Sequence, residues 1–183
     1  MREEGHLNAN QRASLIAPVS DQEILSALHG IGDMKAPMIG GYGARFFKES
    51  WQTIKWDVTV AVMGFFQNER LYEVYNCTMV TLILKTKRAT SIKDYRPIAD
   101  CTTVYKIISK VFTSRLGKVI GSIMGSCRAA FIPGQRIHNH ILLAYELING
   151  YSRKGGTPRC MIQLDLQKAY DMVDLNSLES ILK

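Results

Sequence analysis

Apolar and polar positions change period several times along this chain, and each change marks an element. Residues 1–19 show no periodicity and read as a poorly ordered lead-in. From Ser20 onward Ile24, Leu25 and Leu28 share one face, while Ser20 and Glu23 have the spacing of a capping box. That pattern predicts a helix over Asp21–His29, ended by Gly30. The stretch KAPMIGGYGA, Lys35 to Ala44, is too rich in glycine for regular structure and reads as a loop. Helical spacing resumes at Phe46, Phe47, Trp51 and Ile54. A second apolar run, Val58 to Phe66, follows Asp57 as a cap, so two packed helices are expected.

The run Cys77–Lys85 is short, apolar and β-branched, which predicts a buried strand. A polar, basic loop follows it, and the chain returns to extended structure at RPI, Arg96–Ile98, because a residue before proline avoids the helical region. Together these make a hairpin with a positive tip. From Thr102 the apolar positions Val104, Ile107, Ile108, Val111, Phe112 and Leu116 trace an amphipathic helix whose other face carries Lys106, Lys110 and Lys118. FIPG at Phe131–Gly134 is a turn, and Ile141, Leu142, Tyr145 and Ile148 mark a further helix. After a turn at Arg153–Pro158, RCMIQLDL reads as a strand with Asp165 near its carboxyl end.

Composition adds little until charge is located. A hydrophobic content of 46% and a charged content of 21% are those of an ordinary folded chain. The net charge of +7 is concentrated: Lys85–Lys118 holds nine basic and two acidic residues, and the rest of the chain balances. Such a field favours a polyanion, although a solvated basic face without a partner has the same composition. Cys77, Cys101, Cys127 and Cys160 lie 24, 26 and 33 residues apart, a spacing of neither a zinc site nor a tight disulfide framework. A reducing compartment, cytoplasmic or nuclear, is expected. No apolar run of about 18 residues is present, so no membrane partner is expected.

Candidate chemistry centres on Asp165. A carboxylate where an apolar strand meets a turn is held rigidly and faces a cleft, the placement used to clamp two divalent ions about 3.5–4 Å apart in phosphoryl transfer. The alternative is that Asp165 bonds the backbone of its own turn. Asp174 reads as a first-turn charge on a helix beginning near Asn176, and His138 and His140 point different ways on one helix. Lys85 and Arg96 flank the basic loop, the arginine as a planar fork and the lysine as a point charge, and both can reach one triphosphate.

Read in order, the strings KAP, FFKESW, NCTMVTLILK, DYRPI, YKIISKVFTSRL, AAFIPGQRI, ILLAYELI and LDLQKAYDMV resemble the reverse transcriptase of LINE-type, non-LTR retrotransposons, particularly the plant group. The resemblance covers Ser20 to Lys183. It implies an α/β (α+β) right-hand polymerase: fingers over residues 20–158, and over 159–183 the start of a palm whose sheet is incomplete here. It further implies that Asp165 is the first catalytic aspartate and a magnesium ligand, with the Leu166 carbonyl as another. Tyr170 then excludes a ribose 2′-hydroxyl, and Lys85 and Arg96 hold the incoming dNTP. An RNA template and DNA primer are the implied partners, contacted by Lys87, Arg88, Lys93, Lys106, Lys110, Phe131 and Arg136. The implied reaction is in-line attack of the primer 3′-hydroxyl on the α-phosphate, with pyrophosphate departing beside Arg96.

The family's second metal-binding element carries two adjacent aspartates, and no Asp-Asp pair occurs in this sequence. No nucleotide incorporation by this polypeptide alone is therefore expected, the remainder of the polymerase being a missing partner. Departures from the family pattern cluster in loops: Gly40 for an aspartate, Leu84 for a proline, Arg128 and Ala129 for glutamine and serine, an arginine displaced to Arg136, and Asn139-His140 for Asp-Asn. They suggest a decaying element copy. Two other readings stay open, a non-catalytic nucleic-acid-binding module and a relic without a stable fold.

Overall fold

The computed structural model describes residues 6–33, 41–123, 137–149, 162 and 172–182. The chain divides into two compact units, residues 1–136 and 137–183. The first carries helices α1 (Ala9–Ile16), α2 (Asp21–His29), α3 (Ala44–Glu49) and α4 (Trp51–Asn68), strands β1 (Thr78–Leu84) and β2 (Tyr95–Cys101), and helix α5 (Thr103–Ile123). The second carries α6 (Ile137–Asn149) and α7 (Leu175–Leu182). The architecture is helix-rich with one small antiparallel sheet, as the fold class expected from sequence requires.

Helix α2 forms where the apolar period and the caps agree. The Ser20 hydroxyl accepts from the Glu23 backbone N–H, and the Glu23 carboxylate accepts from the Ser20 N–H. Two N–H groups left over by the first turn are satisfied reciprocally. Ile24 and Leu28 are completely buried and Ala27 nearly so, against Val62 of α4 and Ile107 and Val111 of α5 in one core cluster. Burying each such large aliphatic side chain stabilises the fold by roughly 1.5–3 kcal/mol before entropy is counted. Lys48 of α3 is fastened beneath the end of α2, its ammonium donating to Ile31 O at 2.6 Å and to the Asp33 carboxylate at 2.6 Å.

Three local expectations need correction. The lead-in contains α1, which no apolar periodicity announces because none of its residues is buried. It is held by capping instead: Gln11 N donates to Asn8 Oδ1 and Asn8 N to Gln11 Oε1, and the Gln11 side-chain amide reaches Ser122 of α5. The break between the next two helices falls at Ser50, and Asp57 lies inside an uninterrupted α4. Trp51, Val58 and Val62 occupy one stripe of that helix, so the buried face runs on through Asp57 without a reason to stop. Finally, β1 is a strand but not a buried one.

Every residue of β1 is exposed, and the described residues contain one two-stranded sheet, with β1 and β2 paired from Thr78↔Cys101 to Leu84↔Tyr95. The β-branched, apolar composition dictates extended backbone, whereas burial depends on what packs against it. Val80 and Leu82 are each more than half exposed. The ribbon is anchored at its root, where the Thr102 hydroxyl donates to Tyr75 O at 2.7 Å and accepts from Tyr105 N at the start of α5.

Along α5 the expected stripe is buried at Val104, Ile107, Ile108 and Val111, but it continues through Arg115 and Val119. Phe112 and Leu116 lie at its margin, 44% and 38% exposed. Phe112 nevertheless packs on α4, its ring 5.0 Å from that of Phe66 and 6.0 Å from that of Phe65. No described helix is long and apolar enough to cross a membrane. In the second unit α6 exposes Ile141, Leu142, Tyr145 and Ile148 by more than half, and Asp174 opens α7 by accepting from Ser177 N at 2.9 Å and Ser177 Oγ at 2.6 Å. Asp174 is thus the cap of that helix rather than a charge within its first turn. These bonds to Ser177 hold its carboxyl below the usual range.

Candidate nucleic-acid interface

The tip of the β1–β2 ribbon carries the densest positive charge of the described chain. Lys85, Lys87, Arg88, Lys93 and Arg96 are all exposed there. The loop between the strands is ordered by its own sequence. Ser91 caps a single 3₁₀ turn, Ile92–Asp94, in a capping box with Asp94. The Asp94 carboxylate accepts from Thr90 N at 2.9 Å and Ser91 N at 3.0 Å through the same oxygen, Oδ2. Those two backbone donors hold the Asp94 carboxyl below its usual range.

Strand register determines which charges share a face. Ile83 pairs with Arg96 and Leu84 with Tyr95. Lys85 N donates to Asp94 O at 2.7 Å, so the ladder extends one step to Lys85 opposite Asp94. Side chains alternate between faces, so Ile83 and Arg96 share one face of the ribbon, and the extra step of the ladder carries Lys85 to that face. Lys85 and Arg96 are then diagonal cross-strand neighbours, roughly 7–8 Å apart at the backbone and within joint reach of one phosphate chain. The Lys85 ammonium itself donates to Lys93 O at 2.7 Å, on the turn that Asp94 fastens.

The remaining basic residues of the window divide by role. Lys106 is mostly withdrawn from solvent and paired with Asp100 at 2.5 Å, which neutralises its contribution locally. Lys110 and Lys118 stay exposed on α5. Lys110 packs its stem close to Gly30: a Cβ there would come 2.9 Å from Lys110 Cε. A shallow cleft of about 310 Å³ between the end of α2, the ribbon root and α5 is lined by Lys106, Ser109 and Lys110.

Arg115, counted in sequence with the basic surface, is instead 7% exposed. Its guanidinium clasps the Glu23 carboxylate in two bonds of 2.8 Å and donates to the carbonyls of Leu15, Ala17 and Pro18. It ties α5 to α2 and to the segment that joins α1 to α2. The bidentate bond from Arg115 lowers the Glu23 carboxyl to about 2. The sequence signal was its position, four residues after Val111 and four before Val119, on the buried stripe.

Asp165, Leu166, Tyr170, Phe131 and Arg136, together with all of the RCMIQLDL stretch except Ile162, lie outside the described residues. Among the described residues no group of three or more His, Cys, Asp or Glu side chains is placed to hold a metal ion. Lys85 and Arg96, which flank the basic loop in sequence, thus come to neighbouring positions on the exposed ribbon.

Comparison with known proteins places this sequence in a family. The profile of the reverse transcriptase (RNA-dependent DNA polymerase) family matches residues 83–183, beginning within β1 and including the whole tip. The match spans more than half of the chain, and the chain belongs to the reverse transcriptase family. It is also similar to the Transposon TX1 uncharacterized 149 kDa protein of Xenopus laevis, at 26% identity over 168 residues. That alignment covers 92% of this chain and 13% of the relative, so the chain spans a small part of the length of the relative it matches. Both findings bear out the resemblance to a retrotransposon reverse transcriptase.

Proposed function

We propose that this chain provides the fingers and the first palm strand of a non-LTR retrotransposon reverse transcriptase, an RNA-directed DNA polymerase acting on an RNA template and a DNA primer. In this reading the ribbon tip receives the phosphates of the incoming deoxynucleoside triphosphate. Lys85 meets them as a mobile point charge and Arg96 as a planar fork able to bond two oxygens at once. Lys87, Arg88 and Lys93 line the same tip and attract the nucleic-acid backbone. Tyr170 stands against the sugar and excludes a 2′-hydroxyl by its bulk.

Asp165 and the Leu166 carbonyl offer hard oxygen donors, the type that suits Mg²⁺. When bound, magnesium supplies charge neutralisation for the phosphates and acidifies the primer hydroxyl. Free thiols at Cys77 and Cys101 suit a reducing cytoplasm or nucleus.

One observation carries the proposal: strand register brings Lys85 and Arg96 to one exposed face, inside the stretch that matches the family. Calorimetric titration of the chain with a deoxynucleoside triphosphate and magnesium tests it. Lys85→Ala and Arg96→Ala are each expected to weaken binding about tenfold or more, the worth of a charge-assisted bond. Titration curves for both variants superimposable on the parent would overturn the reading.

A further inference from the structure

We infer that Asp94 is the positioning residue of the ribbon tip, an acidic side chain whose task is to organise cations for an anionic ligand. The inference rests on the reading of Lys85 and Arg96 as phosphate-binding residues. By charge alone Asp94 is out of place. It lies in the turn directly opposite Lys85, where a negative charge opposes the capture of phosphate.

Its bonds explain its presence. One carboxylate oxygen accepts from both Thr90 N and Ser91 N, closing the 3₁₀ turn from within. The Ser91 hydroxyl accepts from Lys93 N in return, completing the capping box. Two further bonds then run from that turn to Lys85: Asp94 O accepts its backbone N–H, and Lys93 O accepts its ammonium. Asp94 thereby sets both the register of Lys85 against β2 and the resting position of its charged end. Phosphate capture then requires only that the ammonium exchange one oxygen acceptor for another, over a small displacement. Without the turn, the long lysine side chain must be ordered from a wide set of rotamers during binding.

Charge and positioning make opposite predictions, which gives the test its force. Removing a negative charge from a cationic tip tightens binding of an anion if electrostatics is all that matters. Removing the two turn-closing bonds loosens it if positioning matters. Asp94→Asn removes the charge but keeps a side-chain carbonyl oxygen able to accept from Thr90 N and Ser91 N. The measurement is the affinity of the full chain for inorganic tripolyphosphate, by isothermal titration, in the parent, Asp94→Ala, Asp94→Asn, Lys85→Ala and Arg96→Ala.

The expected result is binding about three- to tenfold weaker in Asp94→Ala, the worth of a lost cap, and parent-like or tighter binding in Asp94→Asn. The helical melt should be unchanged in all four variants, since the ribbon tip lies outside the buried core. Tighter binding in both Asp94 variants, or no change in Asp94→Ala while Lys85→Ala and Arg96→Ala bind weakly, overturns the positioning role alone. Undiminished binding in Lys85→Ala and Arg96→Ala overturns the underlying reading of the tip.

Discussion

A guanidinium taken out of water is costly unless nearly every N–H finds an acceptor, and Arg115 meets that condition with one carboxylate and three backbone carbonyls. The carbonyls belong to the last turn of α1 (Leu15) and to the segment joining α1 to α2 (Ala17 and Pro18), so a single side chain ties α5 to both. Ionisation of Glu23 is coupled to this arrangement. Its folded value, about 2, lies below the ordinary 4.5, so its contribution is complete above about pH 4.5 and is lost as pH falls toward 2. With Glu23 about one-third exposed, the loss should be on the order of 1–3 kcal/mol after solvent screening. Thermal melts of the parent should fall steeply between pH 5 and about pH 2.5, and Glu23→Gln should start lower and fall less. Parallel pH profiles for the two proteins would disprove the coupling. Nothing in composition separates Arg115 from the basic residues around it; only its place on the apolar stripe does.

At the scale of elements, local rules and tertiary packing were unequally legible. Helix α2 could be read from sequence to its boundaries because capping box, apolar period and terminal glycine coincide. Strand β1 could be read as extended but not as exposed, since β-branched residues specify backbone shape and leave open what covers the faces. The continuity of α4 through Asp57 was hidden because an aspartate after a polar stretch looks the same as a cap whether or not the helix has already begun. Its true end is unusual. Glu69 closes α4 in the left-handed region, φ 55°, donating its N–H to Phe65 O at 2.8 Å, at a position glycine normally occupies. Relief of that backbone strain predicts that Glu69→Gly raises stability by about 0.5–1 kcal/mol, seen as a melting temperature roughly 1–4 °C higher. A lower melting temperature would mean the Glu69 side chain contributes more than its backbone conformation costs.

Over the whole molecule, the family was legible before the geometry. Eight short strings in a fixed order pointed to a reverse transcriptase, and the match over residues 83–183 agrees. The pairing of Lys85 with Arg96 was legible in part: the loop between them told that both flank a hairpin, but only the ladder ending in Lys85 opposite Asp94 puts them on one face. Lys106, grouped with them by charge, is removed from that set by Asp100, a partner six residues earlier that a helical pattern does not reveal. What remains is a helical core that buries its own apolar side chains and lifts a charged, uncovered ribbon into solvent. Such a ribbon should bind nucleic acid through counterion release, with an affinity that falls linearly with salt on logarithmic axes.

The most direct test is the salt dependence of binding to an RNA–DNA template–primer, followed by fluorescence anisotropy for the parent chain, Lys87→Ala and Arg88→Ala. If the ribbon tip is the phosphate-binding surface, each substitution weakens binding at low salt and reduces the logarithmic salt slope by about 1. Slopes and affinities equal to those of the parent would place the nucleic acid elsewhere on the molecule and contradict this account.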